Sequence, residues 1–214
     1  MSRTHYFEEL EAVRQDLVEM GQEALALFDD VLQAFTEPAP DALQKARILE
    51  SEIDLRQKLI RDRCLRLITL QAPVARDALL ITGVLDAIAD FGLIGGLCCD
   101  IVSLLTALPH RPTASIMAQL SDLTRKVRGI LGTAIDMWQG FEPNPAIRSH
   151  EAEIKADSTR LSDKLSHLTT GPLDTSIYVD LMMICRHLER ILRHAFCVAD
   201  QAIGAAPLKQ AIQA

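Results

Sequence analysis

The stretch Leu79-LITGVLDAIADFGLIGGLCCDIVSLLTA-Leu108 decides the fold. Asp86, Asp90 and Asp100 are its only charged residues. It is long enough to cross a bilayer, but each carboxylate would cost about 2.5–3.5 kcal/mol at the bilayer centre. The flanks carry no one-sided cluster of basic residues. The stretch therefore reads as a helix covered on most sides inside a soluble bundle.

Outward from it, five proline-bearing breaks divide the chain: Thr36-Glu37-Pro38-Ala39-Pro40, Gln71-Ala72-Pro73, Pro109-His110-Arg111-Pro112, Glu142-Pro143-Asn144-Pro145 and Thr170-Gly171-Pro172. Proline cannot continue a helix beyond its first turn, so each break is a helix–helix turn. Six segments remain, and they carry helical stripes. Leu10, Val13, Leu17, Met20, Ala24, Leu27 and Val31 form one a/d stripe, and Ile53, Ile60 and Leu67 continue the pattern in the second segment. Leu120, Leu123, Val127, Ile130, Leu131 and Ile135 mark the fourth; Ile147, Ile154, Leu161, Leu165 and Leu168 mark the fifth. No segment alternates with period two, so no sheet is expected.

Composition agrees. The 214 residues are 49% hydrophobic and only 4% aromatic, with 10 Gly, a profile that favours helix over sheet. A net charge of −7 excludes a nucleic-acid binder that works by bulk charge. Residues 1–107 hold 10 basic and 18 acidic side chains, whereas residues 108–214 hold 12 and 11. Cys64, Cys98, Cys99, Cys185 and Cys197 lie in apolar stretches without disulfide or CxxC spacing, which suits a reducing cytosol. The N-terminal residues show no apolar signal core.

Short turns between long amphipathic helices make antiparallel neighbours. The break at 109–112 lies near the midpoint, and the third and sixth segments repeat weakly with Ile94 over Ile191. The expected architecture is all-α: a first three-helix bundle over 1–108, a second over 113–205, and a tail over 206–214.

Two motifs carry a family resemblance. Cys64-Leu-Arg-Leu-Ile-Thr-Leu-Gln-Ala-Pro73-Val-Ala-Arg-Asp77 resembles the exit of helix two and entry of helix three in the PhoU family of phosphate-uptake regulators. His187-Leu188-Glu189-Arg190-Ile191 resembles that family's Leu-Glu-Arg-Ile-Gly-Asp-His signature. Pro73 to Gly92 spans 19 residues and Pro172 to Glu189 spans 17, the asymmetry the family shows. The resemblance implies two tandem three-helix bundles and a cytoplasmic regulatory adaptor, peripheral to the membrane at most. Its implied partners are a phosphate ABC-transporter ATPase and a sensor histidine kinase. It also implies metal sites in some members, through signature Glu and Asp residues that offer hard oxygen ligands from one helix face.

Those positions depart here. The first signature reads Gly92-Leu93-Ile94-Gly95-Gly96, without carboxylates or arginine. In the second, Glu189, Arg190 and Ile191 remain, but Leu192 replaces the glycine and Arg193 the aspartate. A guanidinium cannot ligate a metal, and Arg193 is expected to pair with Glu189. No metal and no cofactor are therefore expected. Asp86 and Asp90 form a residual acidic pair with too few ligands of its own.

Other features have plainer readings. Arg56, Lys58, Arg61, Arg63 and Arg66 read as a solvated face matched to the acids of the first segment, with docking of an acidic partner as the rival. Arg186, Arg190 and Arg193 share one helix face, with Glu189 beside them; a structural role is the plainer reading, and as the candidate partner- or anion-binding set they are its functional rival. His187, His194 and Cys197 share a helix side but lack a fourth zinc ligand. Glycines 92, 95 and 96 lie inside a helix and read as a close approach for a neighbouring helix. No catalytic constellation stands out, so the chain is not read as an enzyme. A homodimer is expected, because Leu93, Ile94, Leu97 and Val102 need cover. The leading function is phosphate-transport regulation by protein–protein contacts; the alternative is an anion- or metal-binding bundle.

Overall fold

The computed structural model describes residues 3–37, 39–71, 73, 75–140, 143–168 and 175–205. Six long helices run in order: α1 (Arg3–Thr36), α2 (Ala42–Gln71), α3 (Ala75–Ala107), α4 (Ala114–Gly140), α5 (Glu151–Leu168) and α6 (Thr175–Ala205). There is no strand among the described residues. The ends fall at the proline-bearing breaks. The turn at 170–172, Glu142 and the tail over 206–214 lie outside the described residues.

The fifth segment departs from a single helix. Pro145–His150 forms a 3-10 turn before α5, with proline at its start, where a missing N–H costs nothing. The heptad stripe of α1 is the buried side of that helix, with Leu10, Val13, Leu17, Met20, Ala24, Leu27 and Val31 at most 1% exposed. Burying each large apolar side chain contributes about 1.5–3 kcal/mol.

Helices α1, α2 and α3 pack on one another, as do α4, α5 and α6. The two trios meet where α3 lies on α6 and α1 lies on α4, so one apolar core runs through both. This explains α3. It is long and apolar enough to cross a membrane, with a mean hydropathy of 1.9, yet it packs against α1, α2 and α6. Its all-round apolar pattern is the pattern of a helix with neighbours on three sides.

That packing corrects the expected dimer seam. Ile94, Leu97 and Val102 are buried inside the chain, and of the four residues only Leu93 is exposed. Helical periodicity identified apolar positions but not how many helices would cover them.

Long cationic side chains tie the trios together at helix ends. Arg111 donates to the carbonyls of Ala34, Phe35 and Thr36, satisfying the C-terminus of α1. Arg14 donates to the carbonyls of Trp138 and Gln139 at 2.7 and 3.1 Å, doing the same for α4. Within the second trio, the buried Trp138 indole donates to the Val198 carbonyl at 3.0 Å.

Candidate functional site

The first signature segment faces α2. A Cβ added at Gly92 would stand 2.9 Å from Gln57 Oε1; at Gly95, 3.3 Å from Ile53 Cδ1; at Gly96, 3.4 Å from Glu50 Oε1. The glycines let α2 close on α3, and α2 side chains occupy the space that signature side chains would need. The apolar Gly95–Ile53 contact and the flexible tips of Gln57 and Glu50 leave no cage of oxygens from α3. Next along α3, the Cys99 thiol is pushed up to about 11, mainly by burial and also by its hydrogen bond to Glu50.

Asp90 does not act with Asp86. Its Oδ1 lies 2.8 Å from Nδ1 of His194, and its Oδ2 accepts from Gln201 Nε2 at 2.9 Å. Both donors come from α6, so Asp90 bridges the trios, while Asp86 is exposed.

The second signature segment faces α5. Glu189 accepts from the Ser158 hydroxyl at 2.7 Å, with Ser158 1% exposed. The expected Glu189–Arg193 pair does not form. One i,i+4 step permits such a pair, but a buried hydroxyl already holds the carboxylate. Arg186, Arg190 and Arg193 are exposed, with no carboxylate within ion-pair distance of them among the described residues. Arg193 also borders a cavity of about 260 Å³ between the 3-10 turn, α5 and α6, lined by Arg148, Glu151, Lys155, Thr159, Glu189 and Phe196 among others. Arg148 lies over the Phe196 ring at 5.1 Å and bonds Glu151 at 2.9 Å and Asp200.

The basic run of α2 divides in two. Arg56 bonds Glu23 and Glu19, and Arg63 bonds Glu9 and Asp16, all from α1. These are the charge matches expected from the acidic first segment. Lys58, Arg61 and Arg66 point to solvent.

His187, His194 and Cys197 do not gather as ligands. His194 is taken by Asp90, and His187 is 8% exposed with an unpartnered Nδ1. Among the described residues no three His, Cys, Asp or Glu side chains converge as a metal set.

Sequence reasoning missed Ser158, Gln57 and Glu50. Ser158 was findable: it interrupts the apolar stripe Ile154, Leu161, Leu165, and a polar residue there implies a buried partner. Gln57 and Glu50 left no such sign.

Residues 17–105 match the PhoU domain. The chain is 25% identical over 203 residues to a phosphate-specific transport system accessory protein PhoU homolog of Synechocystis sp., covering 93% of this chain and 90% of that protein. It is 24% identical to the Zymomonas mobilis protein of the same description, over 95% of this chain and 87% of that one. The crystal structure of PhoU from Pseudomonas aeruginosa superposes with a TM-score of 0.86 at 21% identity, over 92% of this chain and 97% of that one. PhoU from Streptococcus pneumoniae gives 0.84 at 18% identity, over 92% and 95%. The chain thus carries a PhoU domain match in its first half, shares the fold of the solved PhoU structures, and is similar over nearly its full length to the PhoU accessory proteins.

Proposed function

We propose that this chain is a cytoplasmic accessory regulator of phosphate transport that works by docking other proteins and performs no catalysis of its own. The partners that fit are a phosphate ABC-transporter ATPase and a sensor histidine kinase. Near-full-length likeness to proteins named phosphate-specific transport system accessory protein supports the process. The observation that carries the mechanism is the α6 strip Arg186, Arg190 and Arg193, exposed and without carboxylate partners, continued toward the start of the helix by exposed Met183 and Val179. An apolar pair followed by uncompensated guanidinium groups suits an acidic protein surface.

The test is deletion of the gene in its own host, with a phosphate-starvation reporter read in phosphate-replete medium. Deletion should derepress the reporter and the wild-type gene should silence it. The triple variant Arg186→Glu, Arg190→Glu, Arg193→Glu, with unchanged circular dichroism, should fail to silence it. Full silencing by that variant would contradict the docking role.

A second reading rests on the cavity beside Arg193. Its lining sets Arg193 beside the Thr159 hydroxyl; Arg148 and Lys155 already pair with Glu151, so Arg193 is the cation left there to meet a small oxyanion. Calorimetry with inorganic phosphate separates the two readings: docking alone gives no saturable heat, and anion capture gives a heat lost in Arg193→Ala.

A further inference from the structure

Helix α5 is the shortest of the six, with 18 residues against 27 in α4 and 31 in α6. Open space borders it on both flanks: cavities of about 490 and 300 Å³ toward α4, and one of about 260 Å³ toward α6. Ile154, Leu161 and Leu165 seat it on the core, with the polar Ser158 among them. A helix with room on either side has fewer close neighbours and so sits at the low end of local stability. It covers an α6 strip at helical spacing: Cys185, Glu189, Leu192 and Phe196. Ser162 of α5 stands against the Cys185 thiol, and Ser158 donates to Glu189 at 2.7 Å.

The Ser158–Glu189 bond also decides how the neighbouring arginines present themselves. Glu189 precedes Arg193 by four residues and follows Arg186 by three, spacings at which a carboxylate and a guanidinium meet on one helix. With α5 in place, the Ser158 hydroxyl holds the carboxylate toward α5, and neither arginine pairs with it. With α5 lifted, that donor is gone, and Glu189 is free to take Arg193 or Arg186. One guanidinium then leaves the exposed strip.

We propose that α5 is a releasable cover over α6, and that its closure, through Ser158 and Glu189, keeps the Arg186, Arg190 and Arg193 strip uncompensated. The opening itself stands apart from any docking role. Its consequence, a strip that docks when α5 is closed and weakens when α5 lifts, rests on the docking reading of that strip.

Labelling of the native full chain with N-ethylmaleimide, mapped by mass spectrometry, tests the opening, because a buried thiol reacts only from an open state. Cys185 should react at least about tenfold faster than Cys64 and Cys98, which are equally buried in the first trio. Ser158→Ala should speed Cys185 at least about fivefold and leave the other two unchanged. Equal rates at the three thiols, or a Ser158→Ala effect shared by all three, would overturn the opening. A double-mutant cycle of Glu189→Gln and Arg193→Gln in urea unfolding tests the switch of partner. It should show no coupling beside Ser158, and about a twofold coupling in the unfolding constant once Ser158→Ala is present. The same coupling in both backgrounds, or none in either, would overturn the switch. With the phosphate-starvation reporter, Ser158→Ala should lose silencing and Ser158→Ala, Glu189→Gln should regain it; a double variant that stays derepressed would overturn the link to docking. A reporter indifferent to deletion of the gene would contradict the phosphate reading and the docking consequence with it, while labelling and the cycle still decide the opening and the switch.

Discussion

Asp90 on α3 and His194 on α6 are joined by a 2.8 Å hydrogen bond that crosses the seam between the two helix trios. The second Asp90 oxygen takes Gln201 of the same helix at 2.9 Å. A residue whose spacing suggested half of a cation site is instead a polar bolt within an apolar interface.

Removing the bolt should be costly. Asp90→Ala strands two half-buried α6 donors, and Gln201 already has an unpartnered Oε1. The expected loss is about 1–3 kcal/mol in urea unfolding, with a smaller loss for Asp90→Asn, which keeps an acceptor. A loss below about 0.5 kcal/mol for the alanine variant would show that the bond contributes little to holding the trios together.

His187 should make stability pH-dependent. Its pKa lies below the ordinary 6.5, chiefly because it is buried; the Asp100 carboxylate opposes the shift and the Arg190 guanidinium adds to it. Between the folded and unfolded values the unfolded chain binds more protons, so stability rises with pH across that window. As pH falls below about 6.5 the urea midpoint should fall, and His187→Gln should flatten that slope. Equal slopes in the two proteins would place the titrating group elsewhere.

The signature glycines should respond unequally to added side chains. At Gly95 the neighbour is Ile53 Cδ1 in a packed core, so Gly95→Val should cost about 1–3 kcal/mol. At Gly92 the neighbour is the end of the Gln57 side chain, which can swing aside, so Gly92→Ala should be neutral or gain up to about 1 kcal/mol from helix propensity. Thermal unfolding of the two variants distinguishes them, and the reverse order would contradict the close approach of α2 at Gly95.

The helices were legible in the sequence because proline and heptad spacing are local signals. The stripe from Leu10 to Val31 and the breaks at 36–40 and 109–112 sufficed to place them. The glycine cluster at 92–96 was legible for the same reason: glycine inside a helix needs a neighbour. Partner choice was not legible. Spacing puts Arg193 one turn from Glu189, but Ser158 on another helix takes that carboxylate. Asp90 stands one turn from Asp86, but His194 and Gln201 claim it. A helical wheel gives the face of a side chain and not the helix lying across from it. The same gap set the expected dimer seam on Ile94, Leu97 and Val102 of α3, which the neighbouring helices bury.

The central claim is that both signature segments have lost their coordinating role and now serve helix packing and docking. Elemental analysis of the purified full chain, expressed with iron, zinc and manganese supplied, tests it most directly. The account predicts each metal far below one equivalent per chain, unchanged by Glu189→Gln or Asp90→Asn. One or more equivalents of a metal, lost in Glu189→Gln, would contradict it.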